Sequence, residues 1–196
     1  MQDFFKNNRK KVISSLKEDK AIILLFAGKA QHKTCDQFFP FEPNRNFYYM
    51  TGIDKPHLIY MGIKNGENIE ETLFIERYDE LKAKWEGKTI REDEAKNISG
   101  IENIKYIDEF YASLSNLMFR NSIETAYLDL ENRYLDKNRR AFKEAEILKE
   151  NYPYVNIKNI YNELGYYRLF KEPQEIENMK KAIAITKKGI ENIWKN

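Results

Sequence analysis

The sequence contains one cysteine, Cys35, in 196 residues, so an internal disulfide is excluded. It also has no apolar run long enough to cross a membrane, and its first residues lack the apolar region of a signal peptide. We therefore expect a cytoplasmic protein that does not bind membranes. Cys35 as a nucleophile would need a base such as His32 placed beside it by the fold, and an incidental thiol is the simpler interpretation.

The chain has no excess of charge of one sign, because 33 basic residues oppose 31 acidic residues and leave a net charge of +2. Nucleic-acid-binding domains usually carry a marked basic surplus, so we expect no nucleic-acid partner. Hydrophobic residues make up 42% of the chain, which is enough to form a domain with a buried core.

Apolar runs and turn signals predict strands that alternate with helices. A continuous apolar run at 21–26 is typical of a strand buried on both faces, and Asn65-Gly66 predicts a tight turn between strands at 57–64 and 72–75. Further strands are predicted at 104–107, 123–130 and 154–157, and helices at 3–17, 79–84, 91–97, 108–118 and 136–150, with Asp108 as an N-cap. This order predicts an α/β fold with a mixed β-sheet flanked by helices on both faces.

The stretch from Phe38 to Ile63 concentrates aromatic and β-branched residues. We interpret it as two short strands joined by a turn near Gly52, which would form the core of the sheet. The preceding residues 29–46 lack periodicity and predict a long loop that carries His32 and Asp36, among other polar residues. Such loops are often functional, although a solvated surface is the commoner explanation.

Two apolar features near charged residues call for a covering partner. Trp85 lies among charges, where it could either cap the sheet or contact a partner or substrate. The predicted helix after Pro173 carries an apolar stripe along 176–194, which we expect to pack on the domain or on another chain.

Three motifs resemble the aminopeptidase P and prolidase family. The first is the run Asn46-Phe47-Tyr48-Tyr49-Met50-Thr51-Gly52, with Pro56 four residues beyond the glycine. The second is Asp79 followed by Trp85-Glu86-Gly87, and the third is Arg168-Leu169-Phe170-Lys171 followed by Pro173 and Glu175-Ile176. In the third motif, Glu172 replaces the family's Ser or Thr helix cap.

The resemblance implies a division into two parts. Residues 1–166 would be an N-terminal α/β domain of the creatinase/prolidase type, with a ribonuclease H-like motif, and residues 167–196 would be a linker and the first helix of a pita-bread catalytic domain. In this family the second domain holds two divalent metal ions, commonly Mn²⁺, which activate water toward the bond before proline. The resemblance thus implies an Xaa-Pro aminopeptidase as the full-length protein, with no metal site and no catalytic residue in this chain.

The resemblance also implies two substrate-binding residues. N-terminal domains of related aminopeptidases mediate oligomerisation and project a tryptophan and an aspartate toward the active site of a neighbouring subunit. These roles fall on Trp85 by motif position and on Asp36 by its place ten residues before the aromatic run. Trp85 would offer a flat apolar wall to a proline-containing peptide, and Asp36 would receive the peptide's ammonium terminus.

Related functions fit the same motifs. A prolidase, which accepts only dipeptides, and a creatinase, which hydrolyses a guanidino substrate, share this architecture. A non-catalytic module for dimerisation or peptide binding is the alternative from a different class.

Overall fold

The structure, a computed structural model, describes residues 2–132 and 139–195. The chain divides into two compact units, Met1–Leu164 and Gly165–Asn196. The assignment of the second unit to a catalytic domain stays a prediction.

The first unit alternates strands and helices. Its strands are β1 Lys20–Phe26, β2 His32–Thr34, β3 Gln37–Phe38, β4 Ile59–Asn65, β5 Asn68–Ile75, β6 Ile104–Tyr106, β7 Thr125–Leu128 and β8 Asn156–Asn159. Its helices are α1 Gln2–Ser14, α2 Arg45–Thr51, α3 Glu80–Glu86, α4 Glu92–Ser99, a 3₁₀ turn at Ile107–Glu109, α5 Phe110–Asn121, α6 Arg139–Asn151 and the start of α7 Tyr161–Leu169. Residues 136–138, at the start of the predicted 136–150 helix, lie outside the described part of the chain.

Six strands form one mixed sheet in the order β6-β5-β4-β1-β7-β8. Strand β4 runs antiparallel to both neighbours, β1 and β5, while β1, β7 and β8 are mutually parallel and β6 is parallel to β5. The carboxyl ends of β1, β5, β6, β7 and β8 therefore meet at one edge of the sheet, which we call the carboxyl edge.

Helices cover both faces of the sheet, which confirms the predicted fold class. Ile22, Leu24 and Phe26 of β1 share a buried cluster with apolar residues of α5 and α6. The alternate residues of β1 are also fully buried and point to the opposite face. There α1 contacts β4, α2 and α4, and α2 contacts β1.

The aromatic run that we predicted as a strand is a helix, α2. Asn44 caps it, because its side-chain oxygen accepts hydrogen bonds from the backbone N–H groups of Asn46 and Phe47, both at 2.9 Å. Gly52 ends it in the left-handed conformation with φ of +72°. Capping residues at both ends outweighed the β propensity of the aromatic side chains.

Two smaller predictions also need correction. Asp108 is not an N-cap, since it lies inside the 3₁₀ turn and its carboxylate pairs with Arg77. Residues 29–46 are not one irregular loop, because β2 and β3 form a two-stranded hairpin within them. The predicted tight turn after Asn65 is confirmed by the pairing of Asn65 with Asn68 across β4 and β5.

The second unit contains α8, Pro173–Lys195. The helix begins at the predicted proline, and the Glu175 carboxylate accepts a hydrogen bond of 2.9 Å from the backbone N–H of Glu172. This bond satisfies one backbone donor at a helix start that lacks the family's Ser or Thr cap.

Candidate functional site

The carboxyl edge carries the segments that hold both predicted site residues. Asp36 lies in the segment that follows β1, and Trp85 lies in the segment that follows β5. Only β4 separates these two strands, so the segments leave the sheet about 10 Å apart. The structure thus brings the two segments to the same edge.

Asp36 occupies the tip of the β2–β3 hairpin. Thr34 and Gln37 pair across the hairpin, which leaves Cys35 and Asp36 as a two-residue turn, and Cys35 has a φ of +48°. Asp36 is exposed and forms no hydrogen bond or ion pair with a described residue. Its carboxylate is therefore available to a cation from outside this unit.

Apolar and cationic side chains brace the hairpin that carries Asp36. The rings of His32 and Phe38 meet edge to face with centroids 5.7 Å apart, and Lys33 Nζ lies 5.8 Å from the centroid of Phe39. Phe38 and Phe39 remain at least half exposed. The hairpin therefore carries exposed aromatic side chains at the two residues that follow Gln37, close to Asp36 in the sequence.

A capped helix presents Trp85. The Asp79 carboxylate accepts a hydrogen bond of 2.8 Å from the backbone N–H of Leu81 at the start of α3, as an N-cap does. Gly87, just after the helix, has a φ of +94°, a conformation that ends helices and favours glycine. The Asp79, Trp85 and Gly87 motif therefore encodes one short helix, and it leaves the Trp85 side chain 88% exposed.

A buried polar cluster at the carboxyl edge fixes the base of the Asp36 segment. The Asp129 carboxylate, just beyond β7, accepts hydrogen bonds from the side-chain amides of Asn44 and Asn46, at 2.9 and 3.1 Å. The backbone N–H of Asn44 also bonds the carbonyl of Ala27, 2.9 Å away, which closes the base of the segment. Sequence reasoning missed this cluster, although Asn44 before a run that ends in glycine was a usable capping signal.

Charged and aromatic side chains surround the segment that carries Trp85. The Arg77 guanidinium lies 4.0 Å from the Tyr106 ring centroid and pairs with Asp108 at 2.9 Å. The hydrogen bond from the Tyr106 hydroxyl to the Glu92 carboxylate raises the pKa of that tyrosine, and the Asp108 carboxylate raises the pKa of Arg77. Both raised pKa values keep the Tyr106 hydroxyl neutral and the Arg77 guanidinium charged near neutral pH.

The exposed Asp36 and Trp85 side chains can bind a ligand, but the described residues offer no metal centre for hydrolysis. Within residues 2–132 and 139–195, no three His, Cys, Asp or Glu side chains converge as a metal ion requires. No helix in this described part has the length and apolar character needed to span a bilayer. The Trp85 and Asp36 side chains form no hydrogen bond or ring contact with each other or with other described residues, so a ligand common to both would have to bridge their segments.

Comparison with known proteins identifies the domain. The family profile described as "Aminopeptidase P, N-terminal domain" matches residues 5–127. The Xaa-Pro aminopeptidase of Escherichia coli is 25% identical over 190 residues, which cover 93% of this chain and 42% of that protein. Intermediate cleaving peptidase 55 of Schizosaccharomyces pombe is 25% identical over 183 residues, covering 91% of this chain and 37% of that protein.

Solved structures give the same result. A Bacillus anthracis protein described as an aminopeptidase P matches with a TM-score of 0.91 and 44% identity, over 96% of this chain and 45% of that chain. Escherichia coli aminopeptidase P with the inhibitor Pro-Leu has the same fold, with a TM-score of 0.74 and 21% identity, over 90% of this chain and 40% of that chain. This chain spans less than half the length of these relatives. It belongs to the aminopeptidase P N-terminal domain family.

Proposed function

We propose that this chain is the non-catalytic, substrate-framing domain of a metal-dependent Xaa-Pro aminopeptidase. The observation that most strongly supports this proposal is that the segments with Asp36 and Trp85 leave the same edge of the sheet, and that both side chains are exposed. The names of the relatives, which include Xaa-Pro aminopeptidases, support the substrate class.

Each exposed group suits one part of a peptide that begins with Xaa-Pro. The flat face of Trp85 can cover a proline ring or a neighbouring side chain, and it gains most when that contact excludes water. The Asp36 carboxylate can accept charge-assisted hydrogen bonds from the peptide's ammonium terminus. Together they would orient the peptide without taking part in bond cleavage.

Hydrolysis is assigned to a part of the whole protein outside these residues. The described residues do not fit a metal centre, so the pair of divalent ions, with Mn²⁺ as the proposed metal, would be held elsewhere. The metal pair would supply activated water when bound. Homo-oligomerisation, which would carry Trp85 and Asp36 to a neighbouring subunit, and a cytoplasmic location complete the proposal.

Steady-state kinetics of the whole encoded protein test the role of Asp36. Asp36→Asn removes the charge but keeps the shape, so KM for peptides with a free amino terminus should rise about tenfold while kcat changes little. Asp19→Asn is the matched control, because Asp19 is an exposed carboxylate that precedes β1 and lies at the opposite edge of the sheet. Equal KM values for both variants would remove Asp36 from the site.

The same assay separates the related functions. A prolidase would cleave Xaa-Pro dipeptides and leave longer peptides intact, and a creatinase would act on a guanidino substrate instead. A binding module would retain peptides without cleaving them, in which case Asp36→Asn would weaken peptide binding and no hydrolysis would be detected.

A further inference from the structure

The segment that carries Trp85 leaves the sheet and then returns to it, and we call its two parts the outgoing arm and the returning arm. One arm leaves β5 after the buried residue Ile75, and the other returns through the buried residue Ile90 to α4. Between these anchors, Trp85 stands at the exposed end of the segment. Where Trp85 stands therefore depends on how the two arms are held together.

Tyr106, at the end of β6, contacts both arms. Its ring stacks against the guanidinium of Arg77 on the outgoing arm, 4.0 Å from the ring centroid. Its hydroxyl donates a hydrogen bond to the carboxylate of Glu92, where the returning arm enters α4. The Tyr106 side chain thus contacts the outgoing arm through its ring and the returning arm through its hydroxyl group.

Further contacts around Tyr106 hold this arrangement in place. Arg77 also pairs with Asp108 at 2.9 Å and with Glu109 at 3.5 Å, so its guanidinium is fixed over the ring. A second stack closes the arms on each other directly, because the guanidinium of Arg91 lies 4.6 Å from the ring centroid of Tyr78. Each such contact is weak at a surface, and their combination sets the separation of the arms.

We propose that Tyr106 is a positioning residue that holds the two arms of the Trp85 segment together and so sets the place of Trp85 at the carboxyl edge. This inference rests on the proposed function only where it concerns substrate. Its structural part, the restraint of the segment, stands on the contacts of Tyr106 with Arg77 and Glu92. Tyr106 acts through Trp85 and not by contact with substrate.

Hydrogen exchange and kinetics on the whole encoded protein test the proposal together. Tyr106→Phe removes the bond to Glu92 and keeps the ring, so backbone exchange across 80–88 should rise about threefold. Tyr106→Leu removes both the ring stack and the hydrogen bond, so exchange across 80–88 should rise about tenfold or more. Glu92→Gln keeps an acceptor and should leave exchange unchanged, whereas Glu92→Ala should match Tyr106→Phe. Tyr154→Phe, at an exposed tyrosine before β8, is the control and should change nothing.

The kinetic measurement separates the positioning role of Tyr106 from the substrate-binding role of Trp85. If Trp85 frames substrate, Tyr106→Leu should raise KM for Xaa-Pro peptides about fivefold, with kcat within about twofold of wild type. Unchanged exchange in Tyr106→Leu overturns the inference, as does an unchanged KM in a protein whose Trp85→Ala variant has a raised KM. If exchange rises while both variants keep the wild-type KM, the positioning role stands and the proposed function of Trp85 fails.

Discussion

Arg9 Nε and Glu71 Oε1 lie 2.6 Å apart and join α1 to β5 across the interior of the domain. The same guanidinium donates through Nη1 to the backbone carbonyls of Met50 and Ser99, at 2.9 and 2.8 Å. Glu71 Oε1 also accepts a hydrogen bond from the Tyr60 hydroxyl at 2.8 Å, and burial raises the pKa of that tyrosine well above its ordinary value. One fully buried arginine therefore ties α1 to β5 and to the ends of α2 and α4.

Arg9→Ala should destabilise the domain by about 3–5 kcal/mol, because it leaves the largely buried Glu71 carboxylate without its cationic partner and two buried backbone carbonyls without their donor. Urea unfolding measures the loss. Arg77→Ala is the matched control, since Arg77 is also paired with a carboxylate at 2.9 Å but is exposed, and it should change the free energy of unfolding far less than Arg9→Ala does. Similar losses for the two variants would contradict a structural role for the Arg9 network.

Glu144 should make the domain less stable as pH rises. It is fully buried on α6, and that burial raises its pKa, while Arg140, the Tyr111 hydroxyl and Lys143 act in the opposite direction. The pKa of Glu144 in the folded state lies above its unfolded value of 4.5. Protonated Glu144 therefore makes its full contribution to stability below pH 4.5, and this contribution is lost as pH rises through the folded-state pKa. Glu144→Gln should therefore raise the unfolding midpoint near pH 8 and give no gain near about pH 4.

Glu18 should show the opposite sign. Hydrogen bonds from Lys158 and Tyr127 lower the pKa of Glu18, so its contribution is present above the unfolded value of 4.5 and is lost as pH falls through the folded pKa. Glu18→Gln should lower the unfolding midpoint near pH 8, and its difference from wild type should shrink in acid. Parallel pH profiles for the two glutamine variants would refute at least one of the two assignments.

Gly52→Ala should destabilise the domain by about 2 kcal/mol or more. Gly52 has a φ of +72°, and a Cβ there would lie 2.2 Å from the Phe5 ring of α1. Gly165→Ala is the control, because Gly165 lies within α7 with nothing near its Cβ position, and it should stabilise by about 0.5–1 kcal/mol. Thermal unfolding of both variants gives the comparison, and a neutral Gly52→Ala would show that Phe5 moves aside freely.

Periodicity and turn chemistry in the sequence were sufficient to predict most of the sheet. The continuous apolar run of β1 and the Asn65-Gly66 turn each produced the expected element. The prediction was wrong at α2, where aromatic composition was weighted above the capping signals of Asn44 and Gly52. Local propensity is a weak guide when a segment is short and buried, because packing and caps decide its conformation.

Sequence reasoning predicted the two exposed candidate residues but not the side chains that hold their segments in place. Trp85 followed from its motif and Asp36 from its place ten residues before the aromatic run, and their substrate-binding roles stay predictions. Their common placement depends on β4 lying between β1 and β5, a long-range pairing that no local pattern encodes. The supporting contacts of Tyr106 and Asp129 are not encoded locally either, since Glu92 lies 14 residues from Tyr106 and Asn44 lies 85 residues from Asp129. Only the assembled sheet edge brings these groups together.

The most direct test compares Trp85→Ala with Phe119→Ala in the whole encoded protein. Both side chains are aromatic and almost fully exposed, at 88% and 89%, but Phe119 lies near the end of α5, away from the carboxyl edge. We predict that Trp85→Ala raises KM for Xaa-Pro peptides about tenfold with kcat nearly unchanged, and that Phe119→Ala has wild-type kinetics. Wild-type kinetics in both variants would contradict a substrate-framing role for this domain.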